Sequence, residues 1–137
     1  MQVLMWKSES NGVYLPDIDQ EHKSLFEMTD EVCQALQAGC RVDEVEPKLR
    51  ELVAHAIGHF AHEEKMMKAK RYPAYRWHKD QHTTVRNRLA GVDGFIHSGD
   101  REAIIAVLDY LSAWFQTHTA VSDRMMGAYL RNNRKHD

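Results

Sequence analysis

The chain has 137 residues, enough for one domain that buries well over half of the surface exposed by its unfolded form. Its 18 basic and 20 acidic side chains are interspersed and leave a net charge of -2, which argues against a nucleic-acid or anionic-lipid partner. No stretch is long and apolar enough to span a bilayer and no secretion signal is visible, so we expect a soluble, cytoplasmic protein without a membrane partner.

The N-terminal residues do not show a helical pattern. Residues 1–17 mix polar and apolar side chains and contain Gly12 and Pro16, which predicts an extended arm. Trp6 and Tyr14 are the side chains that we expect to dock this arm on the core.

Two helices are predicted in the first half of the chain. Helix A, about residues 18–38, repeats apolar side chains at helical spacing after a capping-box pattern that begins at Asp17. Helix B, about residues 43–70, begins in the same way at Asp43. We expect it to tolerate Pro47 in its first turn, where backbone N–H groups have no helical partner.

Two further helices are predicted after a Tyr-Pro step interrupts the apolar pattern. Helix C covers about residues 73–97 and helix D about residues 100–131, with Asp100 as the N-cap of helix D. Four amphipathic helices with short connections predict an all-α fold. We expect residues 1–137 to form a single domain, an up-down-up-down antiparallel four-helix bundle with an N-terminal extended arm.

Histidines and carboxylates lie on the apolar faces of these helices. His59 and Glu63 are four residues apart on helix B, and His78 and His82 are four apart on helix C, so each pair projects from one face. A lone histidine on such a face is usually a core residue bonded to a neighbour. Burying the whole set without a metal would cost a few kcal/mol for each unsatisfied group. The set is His22, His59, Glu63, His78, His82, His118 and Asp123.

The donor types indicate the class of metal. Imidazole and carboxylate without thiolate suit iron, manganese, zinc or copper, and seven donors exceed the four that a structural zinc ion takes, so two ions are expected. The zinc-protease motif His-Glu-x-x-His is absent, because Met66 stands where the second histidine should follow His62-Glu63. Paired Glu-x-x-His motifs are also absent, which argues against a ferritin-like carboxylate centre.

Short motifs surround the candidate ligands. They are Ile18-Asp19-x-x-His22-Lys23-x-Leu25, His59-Phe60-x-x-Glu63-Glu64, Tyr72-Pro73, His78-x-x-x-His82, and Trp114 with His118 and Asp123. With these intervals the chain resembles the bacterial haemerythrins (bacteriohemerythrins), a family of di-iron oxygen-binding proteins. The resemblance extends from Trp6 to about Asp123.

The resemblance implies a cofactor of two iron ions (Fe2+ or Fe3+) joined by an oxo or hydroxo bridge. The implied ligands are His78, His82 and His118 for one iron, His22 and His59 for the other, and Glu63 and Asp123 as bridges. The iron with two histidines would keep an open position for dioxygen.

The function implied by the resemblance is reversible dioxygen binding by a carrier, storage or sensing protein without catalytic residues. A di-iron redox enzyme that reduces peroxide or nitric oxide is the alternative, and an iron-handling or sensory module is a third. Dioxygen is the expected partner, and a monomer or weak oligomer is the expected state. Leu25, Phe60 and Phe115 are the expected apolar lining of the dioxygen pocket, although plain core packing explains each alone equally well.

Some residues depart from the family's pattern or lie outside it. The family commonly has Asp-x-Gln-His before the first ligand, whereas this chain has a glutamate, Glu21, directly before His22, and we expect Glu21 to be a solvated helix residue. Glu64 either orients a ligand imidazole or faces solvent. The histidines expected on the surface are His55, His62, His97 and His136.

Helix D must be irregular if His118 and Asp123 both face the core. An α-helix turns about 100° per residue, so these side chains would diverge by about 140°. We therefore predict a π-bulge or local unwinding between them, a feature often found at functional sites.

Overall fold

The described part of the chain, residues 12, 13 and 15–133 of a computed structural model, is almost entirely helical and contains no strand. Its elements are α1 (Pro16–Gln37), α2 (Val42–Ala69), α3 (Tyr75–Leu89), α4 (Val92–Ser98), α5 (Arg101–His118), a π-helical turn (Thr119–Asp123) and α6 (Arg124–Asn133). Helices α1 and α2 form two legs of an antiparallel up-down-up-down bundle. The pair α3 and α4 forms the third leg, and α5, the π-helical turn and α6 form the fourth. This confirms the predicted fold class.

The first helix begins at Pro16 without the predicted cap at Asp17. A proline fits the first helical position, because its fixed φ suits the helix and its missing N–H needs no partner there. Among the described residues no side chain caps this end. Asp19 instead accepts a hydrogen bond from the backbone N–H of Val13 at 2.8 Å, which ties residue 13 to α1. The predicted docking of Trp6 and Tyr14 lies outside the described residues.

The second helix also begins differently from the prediction. Arg41 is its N-cap, and the Glu44 carboxylate accepts a hydrogen bond from the Arg41 backbone N–H at 2.9 Å. The predicted cap, Asp43, lies inside the first turn, where its charge still favours the helix dipole. Pro47 lies in the second turn, where it removes one backbone hydrogen bond, so its predicted position in the first turn is wrong.

The predicted helix C is two helices. Helix α3 begins at Tyr75 and ends at Leu89, and α4 begins at Val92. Between them the backbone N–H of Gly91 bonds to the carbonyl of Arg88, only three residues back. Glycine is a poor helix former, so the chain breaks at this point although the apolar repeat continues.

Helix D begins as predicted and is irregular where predicted. The Asp100 side chain accepts a hydrogen bond from the backbone N–H of Ala103 at 3.0 Å and caps α5. The predicted irregularity between His118 and Asp123 is confirmed as the π-helical turn, Thr119–Asp123. No helix in the described ranges combines the length and the apolar character that a membrane crossing requires.

Two clusters of buried apolar side chains fill the bundle. The larger includes Leu25, Phe60 and Phe115, and the smaller includes Ile18 with residues of α2 and α6. On α1, His22 lies between Ile18 of the smaller cluster and Leu25 of the larger one. Polar side chains at this level are therefore shielded from water on both sides, where electrostatic interactions are strong.

Candidate metal centre

Seven polar side chains from all four legs of the bundle converge between the two apolar clusters. Each is at most 3% exposed. Their nitrogen and oxygen atoms form two overlapping groups, and within each group these atoms lie within 4.8 Å of one another. The structure thus brings together every candidate ligand named from the sequence: His22, His59, Glu63, His78, His82, His118 and Asp123.

The Glu63 carboxylate lies between the two groups of histidines. Its Oε2 atom is 3.1 Å from the Nε2 atoms of both His22 and His59. Its Oε1 atom is 3.2 Å from Nε2 of His78 and 3.1 Å from Nε2 of His82. Each oxygen therefore faces a different group of imidazoles.

Asp123 divides its oxygens in the same way. Its Oδ2 atom is 3.1 Å from Nε2 of His22, and its Oδ1 atom is 3.0 Å from Nε2 of His78 and 3.1 Å from Nε2 of His118. Both oxygens are buried, and neither has a partner in hydrogen-bonding geometry within the described chain. A buried carboxylate of this kind is costly unless a cation satisfies it.

The imidazole nitrogens of His78, His82 and His118 lie close together. Nε2 of His118 is 3.1 Å from Nε2 of His78 and 3.2 Å from Nε2 of His82. A neutral imidazole has one N–H donor and one lone pair, so three such nitrogens cannot all satisfy one another. Nitrogen and carboxylate donors without thiolate suit first-row metal ions, so the residues present fit ions of this class.

The two carboxylates control the charge of three histidines. Burial opposes the imidazolium form of His22, but Asp123 and Glu63 outweigh it and raise the pKa of His22 to about 10. Burial likewise opposes the imidazolium forms of His59 and His78, and neighbouring carboxylates raise the pKa of each to about 9. Cations at these positions, whether protons or metal ions, are therefore favoured.

The carboxylates themselves are ionised. Burial would raise the pKa of Glu63, but the surrounding imidazoles hold it well below its usual range. Burial and the neighbouring Glu63 charge would raise the pKa of Asp123, but His118 and His22 outweigh them and lower it. The pKa of His118 is lowered, because burial disfavours its charged form. The centre therefore carries two buried negative charges for cations to balance.

Side chains behind the imidazoles fix three of them. Each of the three pairs joins an imidazole Nδ1 to an oxygen: His59 to Glu21 at 2.7 Å, His82 to Glu64 at 2.8 Å and His118 to Gln81 at 2.8 Å. Carboxylate and amide oxygens accept, so each Nδ1 donates and each Nε2 is left to face the centre.

Glu21 and His62 are more involved than predicted. The expectation that Glu21 is solvated is wrong, because it accepts hydrogen bonds from Nδ1 of both His59 and His62 at 2.7 Å. His62 is therefore linked to the centre rather than being only a surface residue. Helical spacing did not predict these contacts, because they join α1 to the neighbouring helix α2. No candidate ligand lies three or four residues from Glu21 on its own helix.

Other polar side chains near the ligands either contact the centre or lie outside it. Glu64, which the sequence left open, orients an imidazole: it accepts from His82 and, at 2.6 Å, from Arg86. His97 is exposed, whereas His55 is half-buried, and neither belongs to the cluster. Gln81 went unnoticed, although it stands three residues after His78 on the helix that carries two ligands. His136 lies outside the described residues.

Aromatic rings cover one side of the centre. Phe60 stacks on His82 with ring centroids 4.4 Å apart, and Trp114 stacks on His118 with centroids 4.1 Å apart. Leu25, Phe60 and Phe115 are fully buried members of the larger apolar cluster. These rings and side chains keep the imidazoles in an apolar setting.

The chain is a four-helix bundle with five buried histidines and two buried carboxylates in its core. These features are typical of helical proteins that bind metal ions in the bundle core. The model of the Hemerythrin HHE cation binding domain family matches residues 14–130, which is most of the chain. The chain belongs to the haemerythrin family.

Named relatives cover nearly the whole chain. A bacteriohemerythrin of Methylococcus capsulatus is 25% identical over 130 residues, which are 95% of this chain and 98% of that protein. Myohemerythrin-1 of Phascolopsis gouldii is 28% identical over 115 residues, 84% of this chain and 85% of that protein. A crystal structure of wild-type hemerythrin, 23% identical, has the same fold with a TM-score of 0.85, covering 94% of this chain and 98% of that one.

Proposed function

We propose that this protein binds dioxygen reversibly at two non-haem iron ions held by the buried centre. The observation that carries the proposal is the division of each carboxylate: Glu63 and Asp123 turn one oxygen to one group of imidazoles and the other oxygen to the second group. Two carboxylates divided in this way suit two ions better than one. The relatives that carry the names bacteriohemerythrin and myohemerythrin support the choice of iron.

The proposed ligands follow the grouping of the side chains. One iron would be held by His78, His82 and His118, the other by His22 and His59, with Glu63 and Asp123 bridging them. When bound, the iron pair with its oxo or hydroxo bridge would supply a redox-active centre that takes up dioxygen at the iron with fewer histidines. The chain's own contribution is to hold this donor set rigidly in a buried setting.

Exclusion of water is the second contribution of the chain. Water or anions that reach a reactive buried centre promote side reactions. Phe60 covers His82, and Leu25 and Phe115 pack with it in the larger apolar cluster. We propose these three residues as the lining that keeps the dioxygen pocket dry, in addition to their role in the core.

Binding rather than catalysis is favoured by the carboxylates behind the centre. Glu21 is held by His59 and His62, and Glu64 is held by His82 and Arg86. Both pKa values are lowered: burial opposes ionisation, but these hydrogen-bonding partners outweigh it. Each is thus an ionised acceptor that orients an imidazole, which suits a carrier, storage or sensing protein better than an enzyme that delivers protons to a substrate.

Metal analysis and dioxygen uptake test the proposal together. Protein loaded with iron without air should contain two iron ions per chain and take up a fixed amount of dioxygen, about one molecule per iron pair. A chain that holds one ion or none would contradict the di-iron centre. Continuous consumption of peroxide or nitric oxide with an electron donor would instead favour the redox enzyme.

A further inference from the structure

One amide oxygen joins the π-helical turn to helix α3. Oε1 of Gln81 accepts a hydrogen bond from the Ser122 hydroxyl at 2.7 Å and lies 2.8 Å from Nδ1 of His118. His118 ends α5 directly before the π-helical turn, and Ser122 lies within the turn beside Asp123. Gln81 therefore contacts both ends of the segment that presents two of the proposed ligands.

The contact selects one form of the His118 ring. An amide oxygen only accepts, so Nδ1 of His118 carries the proton and Nε2 is left with its lone pair. Nε2 points into the centre, 3.1 Å from Nε2 of His78 and from Oδ1 of Asp123. Trp114 stacks on the same ring at an interplanar angle of 14° and fixes the plane of the ring. Gln81 selects, of the two orientations related by a 180° flip, the one with Nδ1 towards its amide oxygen.

The π-helical turn needs contacts of this kind. Such turns are rare, because their i→i+5 hydrogen-bond pattern is less favourable than that of an α-helix. Two hydroxyl groups support this one: Thr119 donates to the carbonyl of Phe115 at 2.7 Å, and Ser122 donates to Gln81. Of these two bonds, the first stays within the fourth leg of the bundle and the second ties the turn to helix α3.

We propose that Gln81 is a positioning residue for the metal centre: it holds His118 with Nε2 free to bind a metal ion and, through Ser122, holds the turn that presents Asp123. The proposal rests on the proposed metal-binding function. Gln81 differs from Glu21 and Glu64, which orient the other two imidazoles with a negative charge. An amide orients His118 without adding charge to a centre that already contains two buried carboxylates.

Removal of iron by a chelator under anaerobic conditions tests the proposal. Gln81→Leu removes the acceptor, and loss of such an outer partner weakens metal binding about 10- to 100-fold, so iron should be extracted faster by about that factor. Gln81→Glu keeps an acceptor and should stay within a few-fold of the unchanged chain. Gln116→Leu is the matched control, because Gln116 is exposed on α5 two residues before His118, and it should leave extraction unchanged.

A spectroscopic readout separates positioning from a general loss of stability. In protein loaded with zinc, which is diamagnetic, the Nδ1 proton of His118 should exchange slowly with water in the unchanged chain and in Gln81→Glu, and rapidly in Gln81→Leu. Two iron ions in the unchanged chain with equal extraction from Gln81→Leu and Gln116→Leu would overturn the role of Gln81 and leave the di-iron function intact. An unchanged chain that binds no metal ion would overturn both proposals.

Discussion

Replacing Glu63 by glutamine probes the division of its two oxygens between the imidazole groups. The substitution keeps the size of the side chain, but the amide has one acceptor oxygen and one NH2 group. Only one group of histidines can then retain an oxygen donor, and the NH2 group would face the other. We therefore expect Glu63→Gln to lose one iron ion preferentially.

The magnitude follows from the burial of Glu63, which is fully enclosed and contacts four imidazoles. Removing one partner from a buried charged pair costs about 3–5 kcal/mol. At about 1.4 kcal/mol per tenfold change, the affinity for the weaker ion should fall by about 10²-fold to a few times 10³-fold.

Anaerobic titration with ferrous iron, followed by metal analysis after gel filtration, measures this loss. Glu51→Gln is the matched control, because Glu51 is exposed on the same helix, and it should retain two ions per chain. If Glu63→Gln also retains two ions with unchanged affinity, the bridging role of Glu63 is refuted.

Three further predictions follow from the same geometry. His59→Ala should lower the iron content below two per chain, whereas His55→Ala, outside the cluster, should not; metal analysis giving the opposite order would refute the ligand assignment. Metal binding should release protons, up to one for each of three histidines, because the pKa of His22 is raised to about 10 and those of His59 and His78 to about 9. Affinity should therefore rise with pH from neutral towards pH 9, which titration calorimetry in buffers of different ionisation enthalpy can measure, and an affinity that falls with pH would contradict the sign. Phe60→Ala opens a cavity beside His82 and should cost about 3–5 kcal/mol of stability. It should also shorten the lifetime of the dioxygen-loaded protein in air, and an unchanged lifetime would leave Phe60 as core packing only.

Much of the centre follows from helical periodicity alone. Side chains four apart on an amphipathic helix share a face, so His59 with Glu63, and His78 with His82, had to point into the bundle. The π-helical turn also follows, because five residues of regular α-helix would turn Asp123 away from the core. These predictions depend only on the regular geometry of a helix.

The hydrogen bonds behind the imidazoles could not be predicted from the sequence, because they depend on the rotation of each helix about its axis and on side-chain rotamers. Glu21 reaches His59 and His62 on the neighbouring helix, and the sequence interval of 38 or 41 residues gives no hint of it. Gln81 meets a side chain of another helix in the same way. The predicted cap of α1 was wrong for a local reason: Asp17 has the right residue type and spacing, but Pro16 begins the helix before it.

The central claim is reversible binding of dioxygen, and the visible absorption spectrum of the iron-loaded protein tests it most directly. The protein is reduced without air, exposed to air, degassed, and exposed to air again. We expect an absorption band that appears in air, disappears on degassing and returns at the same intensity on the second exposure. A band that persists after degassing, or a spectrum that bleaches irreversibly in air, would contradict reversible binding.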